Sequence, residues 1–340
     1  MTGRVTVGIV AYNDAASLET CVRSLRAVAS APIIIVDNHS DDDTWTVATT
    51  VAEELLSVTA VRAERNAGYA AGGNIARTHT TTEYLVITNA DCTSEGDWIT
   101  PLVSYLDDHP NVAAASPTVT LTGNTMLNAE GLEIHKAGFG FNRRLGRPLR
   151  SAAKEPESVS GVQGTAFIVR ASTLDDIGGW YEGGFLYLED VELSLALRLA
   201  GHDIAYVPTP SVIHDYALTM SPEKFFLLER NRLEILSADL GVGAKLLLSP
   251  VVLATEIAVW VYALRKGSTL VKAKLRSYGS FRKRRSMRDE RRSQVRSFRT
   301  ISDRELLGSL QWSYPRSQTQ SLHKGTPVSG RRGDREMPTS

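Results

Sequence analysis

The stretch FLYLEDVELSLALRLAGH, residues 185–202, sets Glu189 and Asp190 between an aromatic run and a leucine-rich segment. Leu193, Leu197 and Ala200 recur at helical spacing, which predicts a helix over 189–200 with the acid pair in its first turn. A helix dipole stabilises acids there, reason enough for them in an ordinary helix. The flank GGWYEGG adds glycine hinges and aromatic rings, the makings of a cleft wall. In that setting the dipole would keep Asp190 ionised, as a proton acceptor at neutral pH must be, and Glu189 would orient a substrate or its neighbour.

Other groups sit where they could join this pair. Asn89-Ala90-Asp91 directly follows the apolar YLVIT, so Asp91 emerges at a strand tip. A magnesium- or manganese-type ion takes one or two protein carboxylates plus substrate phosphates, so one Asp suffices if a diphosphate supplies the rest. His214 ends the short apolar VIH. A lone His there is more often a satisfied structural residue, but imidazole is also the commonest metal-binding side chain. Asp37 closes PIIIVD and opens DNHSDDDT, read either as an Asx turn with helix-start acids or as a carboxylate accepting a hydrogen bond from a nucleobase. ERNAGYAAGGN, residues 64–74, lets backbone approach a ligand closely; a structural helix entry is the plainer alternative. It contains neither GxxxxGK[ST] nor GxGxxG.

The elements that must position these groups follow from hydropathy. Strands are predicted at 5–10, 32–37, 58–63, 84–88, 112–115, 162–169, 204–207 and 212–214. Helices are predicted through residues 18–28, 45–55, 98–106 and 189–200, with another opened by Ser221-Pro222. Residues 118–160 have weak periodicity and read as a long loop or small excursion over the site. The alternation implies an α/β fold with a mostly parallel sheet, whose ligands bind beyond the carboxyl ends of the strands. Asp37 and Asp91 fall there.

Composition divides the chain. Its 38 basic and 38 acidic residues cancel overall. Residues 1–240, however, hold 17 Lys and Arg against 31 Asp and Glu, and residues 241–340 hold 21 against 7. An acidic body with a basic tail predicts an anionic partner for the tail. Leu246–Leu264 is 19 apolar-rich residues interrupted by Pro250 and Glu256, near the minimum for a bilayer span. We therefore expect a helical, membrane-associating extension over 241–312, with Lys272, Lys274, Arg276 and Arg282–Arg285 facing anionic headgroups. A buried capping helix is the alternative. Aromatics are sparse in the basic run, which disfavours nucleic acid. The tail, 313–340, reads as disordered. Two distant cysteines exclude a disulfide framework, and MTGRVTVGIV reads as a strand rather than a signal peptide. The expected location is cytoplasmic, peripheral on the inner face of the membrane.

In this order the motifs resemble the inverting family 2 glycosyltransferases of the GT-A fold, most of all their rhamnosyltransferase-type bacterial members. VGIVAYN (7–13), IVDNHSDD (35–42), ERNAGYAAGGN (64–74), ITNAD (87–91), GVQGTAFIVR (161–170), GGWYEGGFLYLEDVELSLAL (178–197), RLAGHDIAYVPTPSVIH (198–214) and FFLLERNRL (225–233) carry the likeness. It implies a GT-A catalytic domain over 1–240, a nucleotide-diphosphate-sugar donor, a divalent metal (Mg2+ or Mn2+), and a glycan or lipid-linked acceptor. By this resemblance Asp37, with Asn38, would meet the nucleobase, and Asn66, Gly68 and Asn74 would line the donor pocket. Asn89 and Asp91 would form a DXD-like motif, with Asp91 and His214 on the metal; Asp190, aided by Glu189, would be the base. Ala90 stands where proline is usual, and Trp180-Tyr181 where a Phe-Asp pair is common. The QxxRW motif of processive members is absent, so one or few transfers per encounter are expected; dTDP-rhamnose is the first donor guess, with UDP-hexoses open. The rivals are a sugar-1-phosphate nucleotidyltransferase, disfavoured because AYNDAAS stands where its Gly-rich signature would be, and a non-catalytic scaffold.

Overall fold

A computed structural model describes residues 2–216 and 220–315. The strands are β1 (Val5–Ala11), β2 (Ile33–Asp37), β3 (Val58–Arg62), β4 (Tyr84–Asn89), β5 (Cys92–Ser94), β6 (Val112–Ser116), β7 (Val119–Leu121), β8 (Leu127–Ala129), β9 (Leu132–Ile134), β10 (Gly140–Asn142), β11 (Glu157–Ser158), β12 (Ala166–Arg170), β13 (Asp203–Tyr206) and β14 (Val212–His214). Eight of them form one sheet in the order β11-β13-β6-β12-β4-β1-β2-β3. Strands β4, β1, β2 and β3 run parallel, while β12 lies antiparallel to both β4 and β6. The parallel strands read VTVGIVA and IIIVD because both faces are covered by helices and every residue of each is buried.

Those helices are α1 (Ala15–Val28), α2 (Thr44–Glu54), α3 (Tyr69–Thr78), α4 (Ile99–Asp108), α5 (Ala171–Asp176) and α6 (Glu189–Leu199). Gly8 on β1 lets α3 lie close, since a Cβ there would come within 2.8 Å of the Ala76 side chain. The expected strand over 162–169 is shorter in the structure: Val162–Thr165 forms a turn, and β12 starts at Ala166. The stretch 118–160 is built of short strands rather than a plain loop. Hydrophobic runs of only three residues, as in β7 and β8, are too brief to set a period. A four-stranded sheet, β5-β14-β7-β8, places His214 opposite Cys92. Strand pairing thus brings His214 beside Asp91.

Beyond the sheet come α7 (Pro222–Ala238), α8 (Val242–Lys266), α9 (Ser268–Lys283), α10 (Arg285–Phe298) and α11 (Asp303–Gly308). Ser221 caps α7, its hydroxyl accepting from the Lys224 amide at 3.1 Å. The basic helices do not simply face outward, which corrects part of the expectation for the tail. Lys274 is wholly buried and pairs with Glu229 and with Glu256, at 2.9 Å to Glu256 Oε2. Arg232 pairs with the same two acids, completing a neutral buried tetrad. Arg276 pairs with Glu223 and Arg284 with Glu234, while buried Arg291 meets Glu192 of α6. Burial of an unpaired charge is prohibitive, so the acidic body itself takes up much of the tail's charge. Lys272, Arg282, Lys283 and Arg285 stay exposed. Glu256, which seemed awkward in an apolar helix, points inward to the tetrad. The expected disordered tail falls almost entirely on residues 316–340, outside the described residues.

Breaking the tetrad on one side should be costly. Lys274→Met strands a buried net negative charge and is expected to destabilise the protein by about 3–5 kcal/mol, read as a lowered urea midpoint. An unchanged midpoint would mean that Glu229 and Glu256 find other compensation.

Candidate active site

Asn38, Asn66 and Gly68 form one hydrogen-bonded network at the strand ends. Asn38 Nδ2 donates to Asn66 Oδ1 at 3.1 Å and to the Gly68 carbonyl at 3.0 Å, and the Gly68 amide donates back to Asn66 Oδ1 at 3.0 Å. Asn38 Oδ1 is buried without a protein partner. Asp37 is buried at the tip of β2. Its carboxylate accepts from the Ser40 amide at 3.0 Å and lies 3.2 Å from Arg62 Nε, the geometry of an Asx turn with an ion pair. Asn74 is not brought to this network. Its amide holds the loop before α6: Nδ2 donates to the Trp180 carbonyl (3.0 Å) and Glu182 (2.7 Å), and Oδ1 accepts from the Trp180 amide (2.8 Å). Trp180 itself is a core residue, packed near Phe167 and over Gly73.

At the next strand tip, Asp91, Cys92 and His214 place ligand-type atoms within 4.8 Å of one another. Asp91 Oδ1 is 3.4 Å from His214 Nε2. His214 Nδ1 lies 3.2 Å from both Asn128 Oδ1 and Thr165 Oγ1. Asn128 Oδ1 can only accept, which places a proton on Nδ1 and turns Nε2 toward Asp91. Asn89 Oδ1 is buried close by in sequence without a protein partner. Burial pushes the Cys92 thiol well above its usual range, so it stays neutral there. Imidazole nitrogen, carboxylate and amide oxygen suit a hard divalent cation that also takes phosphate oxygens. The residues present fit such an ion.

Glu189 and Asp190 open α6, as expected, but what delivers them is a strained loop. Phe185, Tyr187 and Leu188 all have φ between 64° and 68°, each costing about 1–3 kcal/mol unless its surroundings enforce it. Asn231 of α7 enforces it: its Nδ2 reaches the carbonyls of Gly184 (2.9 Å), Leu186 (2.9 Å) and Tyr187 (2.8 Å). From the other side, the Tyr69 amide donates to the Phe185 carbonyl at 3.0 Å. Gly68 has φ +92°, and a Cβ there would sit 1.9 Å from that same carbonyl oxygen. Only glycine allows the donor turn to rest on the acid-bearing loop.

Electrostatics at the acid pair are set by opposing influences. Burial pushes Glu189 up to about 8, with the neighbouring Asp190 adding to the rise. Burial also raises Asp190, against amide hydrogen bonds from Gly164 (3.1 Å) and Val191 (2.8 Å) that pull it down. Loss of water is the largest influence on both carboxyls. A raised carboxyl is the stronger base as long as it remains ionised.

The turn Gln163–Thr165, read from sequence only as strand, joins all of these parts. The Gly164 amide donates to Asp190, and its carbonyl accepts from the Tyr69 hydroxyl at 2.8 Å. Thr165 Oγ1 contacts His214, and its carbonyl accepts from the Asn89 amide at 2.9 Å. Tyr69 is half-buried; loss of water pushes its hydroxyl well above the usual range, and the charges of Glu189, Asp190 and Asp91 add to the rise. The Tyr216 ring centroid lies 5.4 Å from the His214 imidazole, and loss of water pushes its hydroxyl up to about 12. The sequence signal for this hub was a Gly between hydrogen-bonding side chains, too short to separate from a strand start.

Comparison with known proteins follows the same lines. Over 242 residues the chain is 26% identical to the N-acetylglucosaminyl-diphospho-decaprenol L-rhamnosyltransferase of Mycobacterium tuberculosis, spanning 64% of this chain and 78% of that protein. The crystal structure of GalNAc-T7 with UDP, GalNAc and Mn2+ superposes with a TM-score of 0.63 at 17% identity, covering 94% of this chain and 57% of that one. The mannosyltransferase PcManGT of Pyrobaculum calidifontis, in complex with GDP-Man and Mn2+, gives 0.53 at 19% identity, covering 87% and 85%. S. aureus TarS 1-349 in complex with UDP gives 0.53 at 16% identity, covering 90% and 92%. These neighbours share the GT-A fold. The sequence model described as glycosyl transferase family 2 matches residues 6–178, half of the chain, and the protein belongs to that family of glycosyltransferases.

Proposed function

We propose that the protein moves one sugar from a nucleoside-diphosphate donor to a lipid-linked glycan acceptor by a single inverting displacement. The observation that carries this reading is the 163–165 turn, which links Asp190, through the Gly164 amide, to His214 of the Asp91–His214 pair, through the Thr165 hydroxyl. Asp37 and Asn38 would bind the nucleoside, Asn66 and Gly68 the backbone side of the donor, and Asn89 with Asp91 the diphosphate end. Asp91 and His214 would hold a divalent cation, which when bound neutralises charge on the leaving diphosphate. Asn128 and Thr165 orient the imidazole. Asp190 accepts the proton of the acceptor hydroxyl, and neutral Glu189 donates a hydrogen bond within the same pocket. dTDP-rhamnose is the first donor to test, supported by the mycobacterial relative, whose name also specifies a diphospho-decaprenol acceptor.

A lipid-linked acceptor calls for work at a membrane. Helix α8 has 25 residues and is long and apolar enough to span one, yet less than a fifth of its most apolar window is buried in the protein. One face packs on the body through Ala244, Leu248, Thr255 and Ala263. The other exposes Leu246, Leu247, Leu253, Ile257, Val261 and Leu264. That division favours a helix lying in the plane of a bilayer, with Lys272, Arg282, Lys283 and Arg285 available to anionic headgroups. In this reading 1–240 is the catalytic body and 241–312 its membrane-associating extension, on a cytoplasmic face.

The chemistry has direct tests. Asp190→Asn should lower turnover by about 10²- to 10⁴-fold while leaving calorimetric binding of the nucleoside diphosphate intact; near-normal turnover would remove Asp190 as base. His214→Ala should abolish the increase in nucleoside-diphosphate affinity that Mn2+ gives the wild type; an undiminished Mn2+ effect would place the cation elsewhere. Glu189 keeps its proton to about pH 8 when folded, but only to about 4.3 when unfolded. Between those values the unfolded chain binds fewer protons, so stability falls as pH rises. Glu189→Gln should therefore raise the melting temperature more at pH 8 than at pH 5, and an equal gain at both would contradict the burial of that carboxyl.

A further inference from the structure

A cavity of about 570 Å³ opens between α7 and α8, within the span of about 300–1,000 Å³ usual for small-ligand sites. Phe139, Phe141, Phe225, Leu228, Val259 and Tyr262 line it, and its surface is almost wholly apolar. Arg265 and Lys266, in the last turn of α8, add positive charge to the same lining. The cavity is not the pocket of the acid pair, but two of its walls reach that pair. Phe139 and Phe141 flank Gly140, which lies so close to Val191 that a Cβ would come within 2.5 Å of its side chain. Val191 follows Asp190 directly. Phe225 packs in one cluster with Phe185, Leu186 and Tyr187, the loop that delivers Glu189 and Asp190.

We propose that this groove seats the prenyl tail of a lipid-diphosphate acceptor, with its glycan end at Asp190 and Arg265 and Lys266 attracting its anionic charge. The proposal rests on the lipid-linked reading above and adds where the lipid is held. Three features select this occupant. An apolar groove beside the proton acceptor suits a substrate whose reacting end is polar and whose remainder is hydrocarbon. Paired cations at its edge complement a diphosphate. Val261 lines the groove and also belongs to the exposed apolar face of α8, so a long tail leaving the groove meets that face without crossing water.

The test uses the full-length protein on phosphatidylcholine–phosphatidylglycerol vesicles and a benzophenone-bearing geranylgeranyl diphosphate. Photolabelling should map to residues 139–141, 225–228 or 258–262. Ala258→Trp, which fills the groove, should reduce labelling by about tenfold through lost apolar contact. Leu247→Trp, on the outer face of α8 away from the cavity, should leave it unchanged. Equal labelling of both variants, labelling spread along the outer face of α8, or equal labelling by a benzophenone phospholipid would overturn the proposal. So would displacement of the label by a peptide of residues 316–340, which would give the groove to the chain's own tail. Nucleoside-diphosphate release from donor, measured in parallel, separates the two readings. Release without groove labelling overturns the lipid seat alone. Groove labelling without release from any donor overturns sugar transfer and leaves the seat standing.

Discussion

A three-residue turn, Gln163–Thr165, decides whether this site exists. It enters the centre of the sheet between β4 and β6, where β12 runs against both neighbours. Its backbone and one hydroxyl reach Asp190, Tyr69, His214 and Asn89. These partners come from four separate elements, and each of the four contacts is a hydrogen bond. A shift of the turn would displace Asp190 and His214 together. The Gly68–Phe185 junction adds a second constraint, where a contact that admits no Cβ locks the glycine-rich turn onto the strained loop before α6.

The strain in that loop is offset elsewhere. Asn231 satisfies three carbonyls that the unusual backbone leaves exposed, and α7 is in turn held by the basic helices. The Glu229–Arg232–Glu256–Lys274 tetrad and the Arg284–Glu234 pair join α7, α8, α9 and the turn into α10. Arg291 does the same for α6 through Glu192. The opposite charges of the two halves of the chain thus serve first to dock one on the other. Buried ion pairs add little net stability over hydrocarbon of the same shape, but they are strongly directional. Here they fix which face of α8 turns inward and which stays apolar and exposed.

Much of this was legible in the sequence. The central strands announced themselves as apolar runs, and Asp37, Asn89 and Asp91 fell at their tips because side-chain periodicity and strand ends are local properties. The acid pair at 189–190 was legible for the same reason. Three things were not. The 163–165 turn has strand-like composition, and only its pairing shows that it bends. Asn74 stands in a glycine-rich motif beside donor-side residues, yet its amide goes to the backbone of Trp180, a contact across 106 positions. Lys274 looked like one more cation in a basic run; its burial depends on Glu229 and Glu256, on two other helices.

The central claim is that one pocket holds the leaving diphosphate on the Asp91–His214 side and the acceptor hydroxyl on the Asp190 side, so that the sugar is displaced once. Anomeric configuration records this without reference to any mutant. Proton NMR of the first-formed product, with whichever nucleotide sugar turns over, should show the configuration opposite to that of the donor. Retention of the donor's configuration would contradict the account, because it requires two displacements and a nucleophile where the proposal has a base.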